Sequence, residues 1–368
     1  MELSPDHQFT PEQEVLLWAI RVDHTKDQRV AELLTAGVDW DYVRETAIQH
    51  GIIPLLYKRL KGEMAYVVPP DELSMLRTLF LAIAIRNLQM TQHLLKVINL
   101  LADSGVEAMP FKGPVLAVQA YGDLSMRSFG DLDILIHAND ISRANQILTD
   151  QGYILNESRD DNAGLILRVL EEKDLLYTFH EDIIELHWKI IERLYAVSLD
   201  TDEVWDRSLP FFINGQKVKT ISPEDMVMVL CFHGFKHRWQ NLSWSADLIN
   251  MILNHPDLRW SDVFNRVEHI GLKRIVLIGL FLAHTHGGVR CGSETENLFI
   301  TDTTMLKLAR EIQLNLFQVR TSNPIEPFIY LKSRERFKDQ IMFLFNYFSL
   351  LVPKVPKFLR WALRQLMG

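Results

Sequence analysis

Cysteine is nearly absent from this 368-residue chain: Cys231 and Cys291 are the only two, far apart and without CxxC spacing. That argues against a disulfide framework and a thiolate zinc site, and it fits a reducing cytoplasm. An excess of basic residues is also lacking. Lys and Arg number 39 against 47 Asp and Glu, a formal net charge of -8, so the chain has no general nucleic-acid-coating surface, although a local basic cleft fits this balance. No run reaches the roughly 18 uninterrupted apolar residues of a membrane span, and Met-Glu-Leu-Ser-Pro-Asp-His at the start lacks the basic-then-apolar profile of a secretion signal. Internal repeats and low-complexity tracts are missing as well.

Apolar side chains are what the chain has in quantity. At 48% of the residues they suffice to fill two or three packed units at this length. Thr10-Pro11-Glu12-Gln13 sets a capping hydroxyl, a first-turn proline and a glutamine just before Val15-Leu16-Leu17-Trp18, which predicts a helix start. Residues 40–60 and 71–104 carry helical spacing, with Pro69-Pro70 between them and Ser104-Gly105 as a stop. A strand is expected over Val106 to Phe111, then a helix from Pro114 to about Tyr121, broken by Gly122-Asp123. Asp131 to Ile136 reads as a strand, and Asn139-Asp140 as the cap of a helix that runs through Gln151 to Gly152. Leu175 to Phe179 and Ile183 to Trp188 read as strands around His180-Glu181-Asp182, and Asn214-Gly215 predicts a hairpin between Phe211 to Ile213 and Lys217 to Ile221. Ser222-Pro223-Glu224-Asp225 repeats the capped helix start, and the remainder reads as helical.

The chemistry concentrates in residues 111–136. Asp131 and Asp133 are two apart on the expected strand, so both carboxylates emerge on one face, about 6 to 7 Å apart. Two carboxylates held together on a buried strand repel unless a cation neutralises them, and hard divalent ions such as Mg²⁺ prefer oxygen ligands. In Ile183-Ile184-Glu185-Leu186-His187-Trp188, Glu185 and His187 share a face, which makes Glu185 the candidate third acid, with Glu181 and Asp182 as alternatives. His187 reads as a residue that orients Glu185 or packs at the rim. Two ions about 3.5 to 4 Å apart would hold an attacking oxygen and a triphosphate for in-line displacement. The Lys112-Gly113 turn ahead of a helix offers backbone N–H groups and a charge to an anion, with Arg127 as a second cation and Ser128 as a hydroxyl donor.

Lys-Gly, then Arg-Ser-x-Gly-Asp-Leu-Asp, then Glu-Leu-His-Trp, in that order, resembles the nucleotidyltransferase superfamily of DNA polymerase β type, and more narrowly its bacterial family labelled uncharacterised nucleotidyltransferase. Flanking stretches are similar to that family too: Gln49 to Tyr57, Leu230 to Trp239, and Leu242, Trp244 and Asp247, so the likeness spans roughly residues 45–260. The resemblance implies Mg²⁺-dependent transfer of a nucleoside monophosphate from an NTP, ATP among them, to an acceptor hydroxyl, with Mn²⁺ as a substitute ion. On it, Asp131 and Asp133 bind both ions, and Glu185 binds the catalytic one and helps activate the acceptor. Many superfamily members carry Gly-Ser or Gly-Gly-Ser in the phosphate turn, whereas Pro114 follows Gly113 here and removes a hydroxyl and an N–H. Triphosphate gripping must then lean on Lys112, Arg127 and Ser128, or be weaker.

His233 and His237 lie four apart on one helix face with Lys236 alongside, a wall for nucleotide or acceptor; zinc is the rival reading, without acid or Cys at ligand spacing. His284, His286 and Cys291 read as a loop end at Gly287-Gly288 rather than as a metal site. The basic amphipathic stretch from Asn346 to Gly368 suits a terminal docking helix, with a weak membrane-surface contact as the alternative. The expected fold is α+β: an N-terminal helical unit (residues 1–100), a small mixed-sheet nucleotidyltransferase core (101–221) and a C-terminal helical unit (222–368). Two other functions fit the same pattern, a catalytically silent nucleotide-binding or assembly protein and a toxin-like enzyme acting on tRNA or a protein hydroxyl. The acceptor stays open, because one fold hosts many substrates.

Overall fold

The chain enters its first helix, α1 (Pro11–Ala19), through the expected capping box: the Thr10 hydroxyl accepts from the Gln13 N–H, and the Gln13 side chain accepts from the Thr10 N–H. The structure is a computed structural model that describes residues 9–156, 174–197, 199–318 and 327–351. It is an α+β fold. After α1 come α2 (Asp27–Ala36), α3 (Trp40–Gln49), α4 (Ile53–Glu63) and the long α5 (Pro70–Asp103). The helical spacing over residues 40–60 is thus two helices. Gly51 takes φ +67° between them, a conformation that ends α3.

A five-stranded sheet follows, from β1 (Ala108–Pro110), β2 (Asp131–Ile136), β3 (Ile154–Leu155), β4 (Asp174–Phe179) and β5 (Asp182–His187), with helices α6 (Gly113–Tyr121) and α7 (Ile141–Asp150) between the early strands. Its order is β1-β2-β5-β4-β3; β2 and β5 run parallel, and the other pairs are antiparallel. The first strand is shorter than expected because the Val106 N–H is drawn back to the Leu101 carbonyl of α5. Asn139-Asp140 does not cap α7 with a side chain. Those residues form a 3₁₀ turn, Ala138–Asp140, in which the Asp140 N–H bonds to the His137 carbonyl. The β4–β5 turn is His180-Glu181 alone, with His180 at φ +54°, and Asp182 already pairs with Phe179.

Beyond α8 (Thr201–Asp206), β6 (Leu209–Ile213) and β7 (Gln216–Thr220) form a separate hairpin on Asn214 and Gly215, both at positive φ as a type I′ turn needs. The remaining described elements are helices: α9 (Pro223–Lys236), α10 (Leu242–Asn254), α11 (Trp260–Ile270), α12 (Lys273–Gly287), α13 (Ser293–Thr301), α14 (Thr303–Leu314), α15 (Pro327–Ser333) and α16 (Phe337–Leu351). Among the described residues no helix is long and apolar enough to cross a membrane. Residues 352–368, with Lys354, Lys357, Arg360 and Arg364 of the basic stretch, lie outside the described residues.

Strand alternation sends side chains into two cores. Leu132, Ile134, Ile136, Ile184 and Leu186 meet Met90, Leu94 and Ile98 of α5 and Leu148 of α7 on one face. On the other face Leu135 joins Met109 and Phe111 in a larger core shared by the helices before and after the sheet, from Val15 to Phe343. At the end of α9 the chain turns back through Arg238 and Trp239, both at positive φ, and wholly buries the Trp239 indole against Gly234. A Cβ on Gly234 would stand 2.6 Å from that ring. Gly234→Ala is therefore expected to cost about 1–3 kcal/mol as overpacking, read as a lower urea midpoint at constant slope; an unchanged midpoint would show that the turn relaxes freely.

Candidate active site

The parallel register of β2 and β5 builds the site. It sets Asp133 directly beside Glu185 and Leu135 beside His187, so Asp131, Asp133, Glu185 and His187 share the face opposite the Leu132 core. Neighbouring strands lie about 4.8 Å apart, and two carboxylates at that spacing repel. The local answer is cationic and imidazole contact. Lys112 Nζ stands 2.8 Å from Asp133 Oδ1, and His187 Nε2 stands 3.0 Å from the same oxygen and 3.3 Å from Glu185 Oε2. Burial opposes ionisation of Asp133, but Lys112 and His187 outweigh it and hold the carboxyl well below the usual range. Asp131 goes the other way: burial first, then the charges of Asp133 and Glu185, raise its pKa.

Asp133, Glu185 and His187 bring one ligand atom each within 4.8 Å of one another. Asp131 stands one pleat along the same strand face, outside that set, and His187 joins it instead. The two carboxylates supply the oxygen donors that Mg²⁺ and Mn²⁺ prefer, with the imidazole beside them, while Lys112 and His187 already supply charge and hydrogen bonds to Asp133, which is 3% exposed. The residues present therefore fit such an ion. His187 Nδ1 is buried without a hydrogen-bond partner, 3.5 Å from Asp174 Oδ2.

The other candidates gather round this pair. A cleft of about 950 Å³ is lined by Asp131, Asp133, Glu185, Lys112, Arg127, Ser128, His233, Lys236 and His237, nine of the ten residues read from the sequence. The tenth, Gly113, lies beneath it. Its φ is +50°, and a Cβ there would meet the Asp131 carbonyl oxygen at 3.1 Å, so glycine lets the start of α6 press against the start of β2. Lys236 pairs with Glu192. Burial, followed by the nearby charges of Lys112 and His237, pushes the His233 imidazole well below its ordinary pKa, so it is neutral near pH 7. His233 and His237 pack on Trp244 at centroid distances of 5.5 and 5.2 Å.

Several cleft residues were not singled out from the sequence. Asp174 and Glu192 add acid to the wall, and Asn241 and Ser243 add neutral polarity. Asn87 of α5 is 1% exposed and donates to the carbonyls of Leu124 and Arg127, fixing the loop that carries Arg127; an isolated Asn in a helix gives no sequence signal for that. Asp182, an alternative third acid, faces away and pairs with Arg86 and His93. Among the described residues the second metal-competent group is His24, Asp27 and Glu63, where Arg59 already bridges the two acids at 2.8 and 2.9 Å. His284 bonds to the Val289 carbonyl, Cys291 to that of Leu280, and His286 to Ser245, so these three do not meet at a metal.

Residues 36–288, well over half the chain, match the family model described as Uncharacterised nucleotidyltransferase, and the chain belongs to that family. No curated protein matches it. Among solved structures, the antibiotic-resistance factor ANT(2'')-Ia is similar at 12% identity, covering 50% of this chain and 97% of that one with a TM-score of 0.35. The lincosamide antibiotic adenylyltransferase LnuA, lincomycin-bound, follows at 17% identity, 44% and 94% coverage and 0.31. An antigenic nucleotidyltransferase-like protein from Paracoccidioides brasiliensis gives 14%, 63% and 92%, and 0.31. Likeness at these scores says nothing of substrate.

Proposed function

We propose that this protein transfers a nucleoside monophosphate from an NTP to an acceptor hydroxyl, with Mg²⁺ as the ion and Mn²⁺ as its substitute, in the cytoplasm. The observation that supports this most is the in-register pair of Asp133 and Glu185 at the floor of a cleft that also holds Lys112 and Arg127. Asp133, Glu185 and His187 would hold one ion, and Asp131 with Asp133 a second. Bound there, the ions would neutralise the paired acids and draw charge from the phosphates. Lys112, Arg127 and Ser128 grip the triphosphate, and His233, Lys236 and His237 wall the nucleotide. Glu185 takes the acceptor proton as the acceptor oxygen bonds to the α-phosphorus; the bond to the bridging oxygen breaks, and pyrophosphate leaves with its electron pair.

A second reading, a catalytically silent nucleotide-binding protein, is favoured by Pro114, which lies buried in the first turn of α6 where a hydroxyl and an N–H are missing. One assay separates the two. The purified chain is incubated with Mg²⁺, each α-labelled NTP and fractions of cell extract holding RNA, protein or small molecules, and label and pyrophosphate are followed. The expected result is label in one fraction with equimolar pyrophosphate, abolished by EDTA. Nucleotide binding without any transfer would favour the silent reading, and labelled tRNA or protein would identify a toxin-like acceptor.

A further inference from the structure

Arg127 is held from behind. Its Nε donates to both carboxylate oxygens of Asp247 at 3.0 Å each, and the Tyr121 hydroxyl donates to Asp247 Oδ1 at 2.8 Å. Asp247 belongs to α10, 120 residues along the chain, and is 1% exposed. Arginine–carboxylate pairs are frequently bidentate, with two parallel N–H···O bonds from separate nitrogens. Here the contact is made through Nε, and Nη1 stays buried with no hydrogen-bond partner while the residue lines the cleft. A buried ion pair is weak evidence for stability, since apolar side chains of the same volume often serve as well. Its use here is directional.

Helix α6 ties the two cations together. Its N-cap residue is Lys112, whose ammonium meets Asp133, and its last residue is Tyr121, whose hydroxyl fixes Asp247. A nine-residue helix spans about 13 Å, so one rigid element references Lys112 and, through Asp247, Arg127. We propose that Asp247 and Tyr121 are positioning residues that aim the terminal nitrogens of Arg127 at the triphosphate; this rests on the reading of the cleft as an NTP site.

The test uses the full chain with Mg²⁺ and inorganic tripolyphosphate, a probe independent of the base, measured by titration calorimetry, with the four NTPs and the free nucleosides in parallel. Arg127→Lys, which keeps the charge and loses the fork, is expected to weaken tripolyphosphate binding about tenfold. Asp247→Asn should do the same with nucleoside affinity unchanged, a selectivity that a general loss of structure would not give. In the Arg127→Lys, Asp247→Asn double variant the second change should add nothing. Tyr121→Phe leaves the ion pair in place and should weaken the probe about threefold; it carries the test if Asp247→Asn does not fold. Unchanged tripolyphosphate affinity in Tyr121→Phe and in folded Asp247→Asn, beside a weakened Arg127→Lys, would overturn the positioning role and leave the NTP site intact. Unchanged affinity in Arg127→Lys itself would overturn both.

Discussion

Asp133→Asn is expected to lower nucleotidyl transfer by about a thousandfold while leaving the fold in place. The change is nearly isosteric, so the side-chain oxygen can still accept from Lys112 and His187 as the carboxylate does at 2.8 and 3.0 Å. What disappears is the negative charge. In the intact protein burial works against that charge, yet Lys112 and His187 outweigh it and keep the carboxyl ionised through the whole neutral range. Without it the set shared with Glu185 and His187 offers a divalent ion one anion instead of two. Charge stabilisation by such an ion is worth several kcal/mol, hence roughly three powers of ten in rate. Single-turnover label transfer at saturating NTP checks this; a variant within tenfold of the parent would remove Asp133 from the machinery.

The largest expected loss of stability lies elsewhere, at Asp225 in the first turn of α9. This carboxylate is 1% exposed and fully engaged. Its Oδ1 accepts from Arg207 Nη2 and Arg266 Nη1, both at 3.0 Å, and its Oδ2 from Arg207 Nε at 2.9 Å and the Ser222 hydroxyl at 2.7 Å. Three segments thus converge on one anion: the end of α8, the start of α9 and α11. Asp225→Ala leaves two partly buried guanidinium groups with only the more exposed Glu203 and Asp262 as counter-charges, and breaking a buried pair of this kind costs about 3–5 kcal/mol against a total stability of about 5–15 kcal/mol. The exposed pair of Lys219 with Glu107, at 54% and 48% side-chain exposure, is worth under about 1 kcal/mol by the same accounting. Urea titrations of Asp225→Ala and Lys219→Ala should therefore differ severalfold in midpoint shift; equal small shifts would mean that water repairs the Asp225 site.

The acids were legible because strands repeat every two residues. Asp131 with Asp133, and Glu185 with His187, announce a common face from spacing alone, and Asn214-Gly215 announces its hairpin through the positive φ that both residues adopt. Legibility stops where the determinant is not local. That Asp133 stands beside Glu185 depends on a parallel pairing between strands some fifty residues apart, and no periodicity encodes register. The partner of Arg127 is hidden for the same reason, since Asp247 is 120 residues away. His187 reads as an accessory residue because its spacing matches a rim position as well as a ligand. One local misreading has a local cause, since Asp140 resembles a cap while its backbone is already turned into 3₁₀; the start of α2, which Lys26 precedes without a side-chain cap, carries no sequence signal.

The proposed activity requires a divalent ion held by Asp133, Glu185 and His187. Mn²⁺ titration, followed by loss of the free-ion electron paramagnetic resonance signal with and without NTP, measures that directly in the intact chain and in Asp133→Asn. The signal should vanish into the intact protein, more completely with NTP present, and persist in the variant. Equal uptake by both proteins would contradict the site.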